Sequence, residues 1–320
     1  MNSPATFART SAAAGLLVWL VFLLPATSDS AHIELIHKAV LFAVFVIVPL
    51  GLSLIAPGAQ RGSLSLYKIV VVAQPIAAVA TAASFFFDKG LLSASLALTW
   101  LIVNSLIALL GLTRLISRGF YPVNELSIDA GLFYLPVAGV WLVIYRLGIQ
   151  PFGYGETIVL LTAVHFHFTG FATPIIAGMS GRILAARDYP QKLFALAVFG
   201  IVAAMPLVAA GITFTPLLGF IGTLLLSTSL VLLAILNIGW VQPALGSTLN
   251  RTLLIAGAVA SCAAMVLASL YSYSLVAHTV VLTIPGMAVT HGLLNAFGFV
   301  TCSLLAWTRM SRKSAATDSL

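Results

Sequence analysis

The chain has 320 residues, of which 61% are hydrophobic and 7% are charged, and its mean hydropathy is +1.11. A soluble protein of this size needs far more charge on its surface, so a soluble fold is excluded. The net charge of +7 would indicate a nucleic-acid partner in a soluble protein. Here the basic residues lie in short connections between apolar runs, where they set topology, and we expect no nucleic acid to bind.

Apolar runs of about 20 residues recur along the chain, which is the length that crosses a hydrocarbon core about 30 Å thick. In lipid such runs must be helical, since every backbone polar group needs a partner within its own segment. We therefore predict an all-α, polytopic transmembrane helical bundle that forms a single integral membrane domain over residues 1–320. The predicted spans are 12–25, 38–56, 67–87, 91–112, 130–147, 156–179, 193–211, 217–237, 252–271 and 285–307, followed by a polar tail at 308–320.

Span 1 leaves two interpretations open. A basic residue, Arg9, a short apolar core and the small residues Ala26, Thr27 and Ser28 together resemble a cleaved secretory signal peptide. The alternative is a retained first helix that small residues extend at both ends. Cleavage would leave nine spans in the same orientation.

The basic residues are divided unequally between the two sides of this arrangement. With the N-terminus inside, 12 of the 15 Lys and Arg residues lie on the inner side, and Lys38, Lys89 and Arg146 lie on the outer side. Basic connections stay on the cytoplasmic side, so this asymmetry supports ten spans and places both termini in the cytoplasm. We expect a multi-pass protein of the bacterial cytoplasmic (inner) membrane, surrounded by the lipid bilayer. Ten spans also allow two inverted halves of five, a repeat that many secondary transporters use.

Span 6 carries two histidines at membrane depth, where ionisable groups are costly and usually mark a functional site. His165 and His167 are two residues apart, which is about 200° around a helix, so they cannot both ligate one metal from a regular helix. His165 shares a polar stripe with Thr169, whereas His167 lies on a stripe of small residues and is expected to face a neighbouring helix. Pro174 removes a helical hydrogen bond, so a kink or bulge there would reorient both rings.

Span 10 carries a second polar pair, His291 and Asn295, which are four residues apart and therefore face one direction. At 1.5 Å per residue, these two residues lie about 9 and 15 Å from the outer end, and His165 and His167 lie about 14 and 17 Å from it. We therefore expect one of the span 6 histidines to meet His291 and Asn295 in the outer half of the membrane. Glu156, at the outer end of span 6, would belong to the same site.

Other polar groups complete the predicted site or offer a simpler explanation. Glu34 and His37, three residues apart at the outer end of span 2, would form its outer mouth. Cys262 and Cys302 fall within apolar runs and are expected to be packing residues rather than a disulfide. Buried histidines can also serve only to bond one helix to another.

The motifs HFHFTGFATPIIAG and THGLLNAFGF, in this order in a multi-span chain, resemble the YndJ-like family of bacterial membrane proteins. The resemblance implies an integral membrane protein in which His165, His167, His291 and Asn295 are signature positions. It implies no particular substrate, although some naming treats the family as transporter-like.

Three functions remain open at this point. The first is a transporter-like protein rather than an enzyme, which binds a small solute or ion or relays protons through groups that titrate near neutral pH. Its site residues would be His165, His167, His291, Asn295, Thr169 and Glu156. The second is a redox protein in which His165, His167 and His291 bind haem or a transition metal. The third is a membrane enzyme or assembly factor that acts on lipid, with Glu34 and Glu156 as its carboxylates.

Overall fold

A computed structural model describes residues 3–23, 31–55, 61–187, 189 and 191–317, and within these ranges the chain contains helices and turns but no strand. Ten of the described helices are long and apolar enough to cross a membrane. They are α1 (Pro4–Val21), α2 (31–52), α3 (Arg61–Ser84), α4 (Leu91–Arg118), α5 (Val123–Leu147), α6 (Glu156–Ala185), α7 (Gln191–Thr213), α8 (Pro216–Ala244), α9 (Thr248–Val276) and α10 (284–317). The predicted all-α, ten-span architecture is confirmed, and the side on which the termini lie stays a prediction.

Several helices extend beyond the apolar runs from which they were predicted. α1 begins at Pro4 rather than at residue 12, because the side chain of Ser3 accepts a hydrogen bond from the amide of Thr6 and Pro4 occupies the first turn. The residues of the predicted cleavage site, 26–28, lie outside the described residues. At the other end, α10 continues as a helix to Thr317, through most of the predicted polar tail.

The chain divides into two compact units: unit 1 comprises Met1–Tyr121 and Ile128–Ile175, and unit 2 comprises Pro122–Ser127 and Ile176–Leu320. In unit 1, α2 is the central helix, since 78% of its apolar window is buried, compared with 22% for α1. α1 lies so close to α2 that a Cβ atom on Gly15 would be 2.3 Å from the carbonyl oxygen of Phe45. Small residues of this kind allow transmembrane helices to pack backbone to backbone.

A buried ion network joins α4 to α5 within unit 1. Arg114 Nε donates to one carboxylate oxygen of Asp129, and Arg118 Nη2 donates to the other, both at 2.6 Å. Arg114 and Asp129 are each only 3% exposed. Two charge-assisted bonds therefore compensate a carboxylate that would otherwise be costly to bury.

Unit 2 packs α7 to α10 in sequence, each helix against the next. A Cβ atom on Gly211 of α7 would lie 2.1 Å from the Cα atom of Gly219 on α8. Between α9 and α10, a Cβ atom on Gly257 would lie 2.5 Å from the hydroxyl of Ser303. As in unit 1, these small residues fix which helices can approach closely.

Four of the ten helices contain π-helical segments, in which the backbone bonds reach five residues instead of four. The segments are Ala43–Ile47 in α2, Phe166–Ala172 in α6, Asn237–Val241 in α8, and Ala288–Gly292 with Leu294–Thr301 in α10. In α2, α6 and α8, the segment ends two residues before a proline: Pro49, Pro174 and Pro243 respectively. The bulge predicted at Pro174 is therefore confirmed.

Proline explains why these three helices change from α- to π-helical geometry, because it has no amide hydrogen and its ring collides with the carbonyl four residues earlier. It permits a π segment but does not force one, since Pro75, Pro136 and Pro206 lie inside helices that stay α-helical. The two segments of α10 have no proline after them. They coincide with the second predicted motif, which carries His291 and Asn295.

Candidate functional site

His167 lies inside the π segment of α6 and is completely buried. Its Nδ1 atom is 2.8 Å from the carbonyl oxygen of Ala163, and its Nε2 atom accepts a hydrogen bond of 3.0 Å from the indole of Trp100 on α4. An indole nitrogen is only ever a donor, so Nε2 must be the acceptor and Nδ1 the protonated nitrogen. His167 thus faces a neighbouring helix, as expected, as a neutral imidazole with both nitrogens bonded.

His165 has different surroundings, although it is only two residues away. Its side chain is exposed at the protein surface, and its Nδ1 atom is 3.0 Å from the carbonyl oxygen of Leu161. Thr169, on the same predicted stripe, is half-buried. The expectation that the two histidines face different ways is confirmed, and of the two it is His165 whose side chain is accessible.

In α10, His291 and Asn295 bond to each other and to α9. The side-chain amide of Asn295 donates to Nε2 of His291 at 3.0 Å, and Nδ1 of His291 is 2.9 Å from the carbonyl oxygen of Ala264. Both side chains are half-buried. The two side chains face one direction, as their spacing predicts, and the hydrogen bond between them is an additional finding.

His167 and His291 share one bonding pattern on different helices. In each, Nδ1–H points to a backbone carbonyl and Nε2 accepts from a nitrogen donor of another side chain. The pattern holds each ring in one tautomer and one orientation. The donors differ in what they can do next, because an amide can rotate to offer its oxygen to a protonated imidazole and an indole cannot. The contact between His291 and Asn295 can therefore adapt by rotation of the amide, whereas the contact between His167 and Trp100 cannot.

A third group of polar residues, which we call the aromatic–charge cluster, comprises His37, Lys89, Tyr145, Arg146 and Glu156 of unit 1. Nε2 of His37 lies 2.5 Å from the hydroxyl of Tyr145. The ammonium of Lys89 lies 4.4 Å from the centroid of the Tyr145 ring and forms an ion pair with Glu156. The cluster thus connects α2, the α3–α4 turn, α5 and the start of α6.

Burial, and then the guanidinium of Arg146, lower the pKa of Lys89, while the carboxylate of Glu156 favours its charged form. Arg146 itself is only 4% exposed and donates to the carbonyls of Ser84 (2.8 Å) and Phe87 (2.6 Å). It therefore caps the C-terminal end of α3, where the helix dipole favours a cation.

The two predicted outer-mouth residues, Glu34 and His37, lie on the same helix, and their role as an outer mouth stays a prediction. His37 belongs to the aromatic–charge cluster, and a carboxylate oxygen of Glu34 lies 3.6 Å from the ammonium of Lys38, one turn further along the helix. Glu156, predicted in the central site, forms an ion pair with Lys89, and its place in that site stays a prediction. Over the described part of the chain, no group of three or more His, Cys, Asp or Glu side chains converges as a metal site would require.

Comparison with known proteins assigns the chain to a family. The family model described as "YndJ-like protein" matches residues 38–299, which is most of the chain. The chain belongs to the YndJ-like family. A relative from Bacillus subtilis, named "Uncharacterized membrane protein YndJ", is 31% identical over 227 residues, or 70% of this chain. The match covers 40% of the relative, so the matched part of this chain spans less than half of that protein's length. No solved structure matches the chain.

The range shared with the YndJ-like family includes both histidine motifs and four members of the aromatic–charge cluster, and it begins one residue after His37. Sequence reasoning missed Trp100, Tyr145 and the role of Lys89. One signal was available for the cluster: Lys89 and Arg146 are two of the three basic residues on the side with few positive charges. Nothing in the sequence indicated Trp100, which lies 67 positions from its partner.

Proposed function

We propose that this YndJ-like protein is a transporter-like protein of the bacterial cytoplasmic membrane, which binds a small solute or ion or relays protons through intramembrane polar residues. One observation carries the proposal: α6 and α10 both leave regular α-helical geometry at their histidine motifs. π segments occur frequently at functional sites. Secondary transporters also place their sites where transmembrane helices are interrupted.

The proposed roles follow from accessibility and bonding. His165 is exposed at membrane depth, where an ionisable side chain is costly in lipid, so we assign it to a water-filled path on which it meets the solute, ion or proton first. His291 accepts or passes a proton, and Asn295 follows the change by rotating its amide. His167 positions the π segment of α6 by bonding Trp100. Thr169 lies beside His165 on the same helix face.

Glu156 and the aromatic–charge cluster would form the approach to this site from the outer side. That orientation follows from the 12-to-3 division of basic residues. We also propose that a span 6 histidine meets His291 and Asn295, because their positions in the sequence put them at similar depths in the membrane.

The two other functions have less support. A haem or metal site would need imidazole nitrogens that are free to ligate, and both nitrogens of His167 and of His291 already bond protein groups. A lipid-directed enzyme would need Glu34 or Glu156 as an acid or base, and both carboxylates already lie in ion pairs.

Proton flux into liposomes tests the proposal. The purified protein is reconstituted with a pH-sensitive dye inside, a potassium diffusion potential is applied, and solutes are added in turn to find those that change the rate. We expect His165→Gln and His291→Gln to reduce flux to the level of empty liposomes. Asn295→Ala should reduce it about fivefold, the equivalent of one hydrogen bond of about 1 kcal/mol.

His278→Asn is the matched control. His278 lies between α9 and α10, outside both motifs, with a positive φ of 52° that Asn tolerates. Its flux should equal that of the wild type. If His165→Gln and His291→Gln fold normally and also retain wild-type flux, the proposed roles of both histidines are wrong.

A further inference from the structure

A cleft of about 280 Å³ opens in unit 2 between the end of α6 and the end of α8. It is lined by Leu184, Arg187, Tyr189, Gly239, Trp240 and Pro243. The two aromatic rings lie side by side, with centroids 4.8 Å apart and planes at 54°. Nothing in the proposed transport site involves these residues.

The cleft depends on a π-helical segment near the end of α8. The π segment Asn237–Val241 and the following turn Gln242–Ala244 carry Trp240 and Pro243 to the cleft. On the opposite wall, the amides of Arg187 and Tyr189 both donate to the carbonyl of Leu184, which closes the end of α6. Asp188, between those two residues, lies outside the described residues.

The end of unit 2 that holds the cleft is strongly basic. All seven Lys and Arg residues of the unit's sequence fall at this end of its helices, and none falls between 193 and 250 or between 252 and 308. Arg182 is compensated by Glu125, which it binds through two hydrogen bonds of 2.6 and 3.0 Å. Arg251 adds positive charge at the cleft, because its Nη2 atom donates to the carbonyl of Pro243 at 3.4 Å.

Tryptophan, tyrosine and arginine together at one helix end are typical of the membrane–water boundary. Trp and Tyr prefer the headgroup level, and basic pockets between transmembrane helices bind anionic lipid headgroups. Pockets for whole small molecules begin at about 300 Å³, so this cleft suits a headgroup whose acyl chains remain outside. Arg187 is exposed and Trp240 is 43% exposed, so both are accessible to such a ligand.

We propose that this cleft binds the phosphodiester headgroup of an anionic phospholipid. Arg187 donates to the phosphate oxygens, since a guanidinium pairs well with phosphate, and Trp240 with Tyr189 packs against the glycerol region. The basic end adds an electrostatic preference for anionic over zwitterionic lipid. This site is separate from the proposed transport site and does not depend on it.

Native mass spectrometry of the full chain tests the proposal. The protein is released from mixed micelles with equal amounts of phosphatidylglycerol and phosphatidylcholine, and the retained lipid is counted. We expect the wild type to retain phosphatidylglycerol about tenfold more than phosphatidylcholine, and Arg187→Gln to lose that preference. Trp240→Leu should reduce retention of phosphatidylglycerol without changing the fold, since the side chain is partly exposed and leucine keeps an apolar contact.

Lys192→Gln is the matched control, because Lys192 carries the same charge at the same end but does not line the cleft. It should retain the wild-type preference. Equal losses in Arg187→Gln and Lys192→Gln would show a diffuse basic surface and overturn the proposal. Displacement of the lipid by millimolar inorganic phosphate would identify a site for the free anion and would overturn it as well.

Discussion

The hydrogen bond between Trp100 and His167 gives the sharpest stability prediction. Both side chains are completely buried, and the bond is 3.0 Å long. Trp100→Phe leaves Nε2 of His167 without a donor, which costs about 1–3 kcal/mol, and the smaller ring adds about 1 kcal/mol for the space that it leaves. His167→Leu removes the acceptor instead and leaves the indole N–H unsatisfied.

The double variant separates the free energy contributed by the hydrogen bond from the cost of the cavity that the smaller ring leaves. Trp100→Phe should cost less in the His167→Leu background, because no acceptor remains to be left unsatisfied. Interhelical hydrogen bonds in membrane proteins couple by about 0.6 kcal/mol on average and up to about 1.7. Because this pair is fully buried, we expect a coupling near the upper value, measured from unfolding in mixed micelles followed by circular dichroism.

A second cycle controls for non-specific effects. The indole of Trp19 donates to the carbonyl of Lys38 instead, at 2.7 Å. Trp19→Phe and His167→Leu should therefore add within about 0.5 kcal/mol. If the Trp100 cycle is also additive, the bond contributes nothing measurable to stability and does not hold the π segment in place.

Three further predictions concern packing and charge, and the same unfolding measurement checks each. Asp129→Asn should cost about 3–5 kcal/mol because it leaves two arginines without their carboxylate. Glu34→Gln breaks a partly exposed ion pair and should cost at most about 0.5 kcal/mol, so equal losses would contradict the role of burial. Gly131→Ala should cost about 1–3 kcal/mol, since its Cβ would lie 2.6 Å from the carbonyl of Phe171, whereas Gly62→Ala meets no atom within 4 Å and should be neutral or stabilising. Tyr145→Phe removes the hydroxyl that bonds His37 and should cost about 1 kcal/mol; no change would show that the short contact is not a stabilising bond.

The architecture could be predicted from the sequence because it depends on local composition. Apolar length gives each helix, and the division of basic residues tests the number of spans. Helix ends were less predictable, since Ser3 and Pro4 start α1 within a stretch that is not strongly apolar. Helix capping depends on single residues, and hydropathy averaged over a window does not detect them.

The site was predictable only where the relevant residues are close in sequence. The shared direction of His291 and Asn295 follows from a spacing of four, and the bulge in α6 follows from Pro174. The π segments of α10 have no such marker. The bond between His167 and Trp100 depends on which helices are neighbours, and a single sequence does not contain that information.

The central claim is that His165 faces a water-filled path within the membrane rather than lipid. Labelling with a membrane-impermeant thiol reagent tests it, after Cys262 and Cys302 have been replaced by Ala. A thiol must ionise to react, and it does so in water but not in hydrocarbon. His165→Cys should react from the predicted outer side of reconstituted vesicles, whereas Phe199→Cys, an exposed apolar position of α7, should not. If His165→Cys is as unreactive as Phe199→Cys from both sides, His165 faces lipid and the claim is wrong.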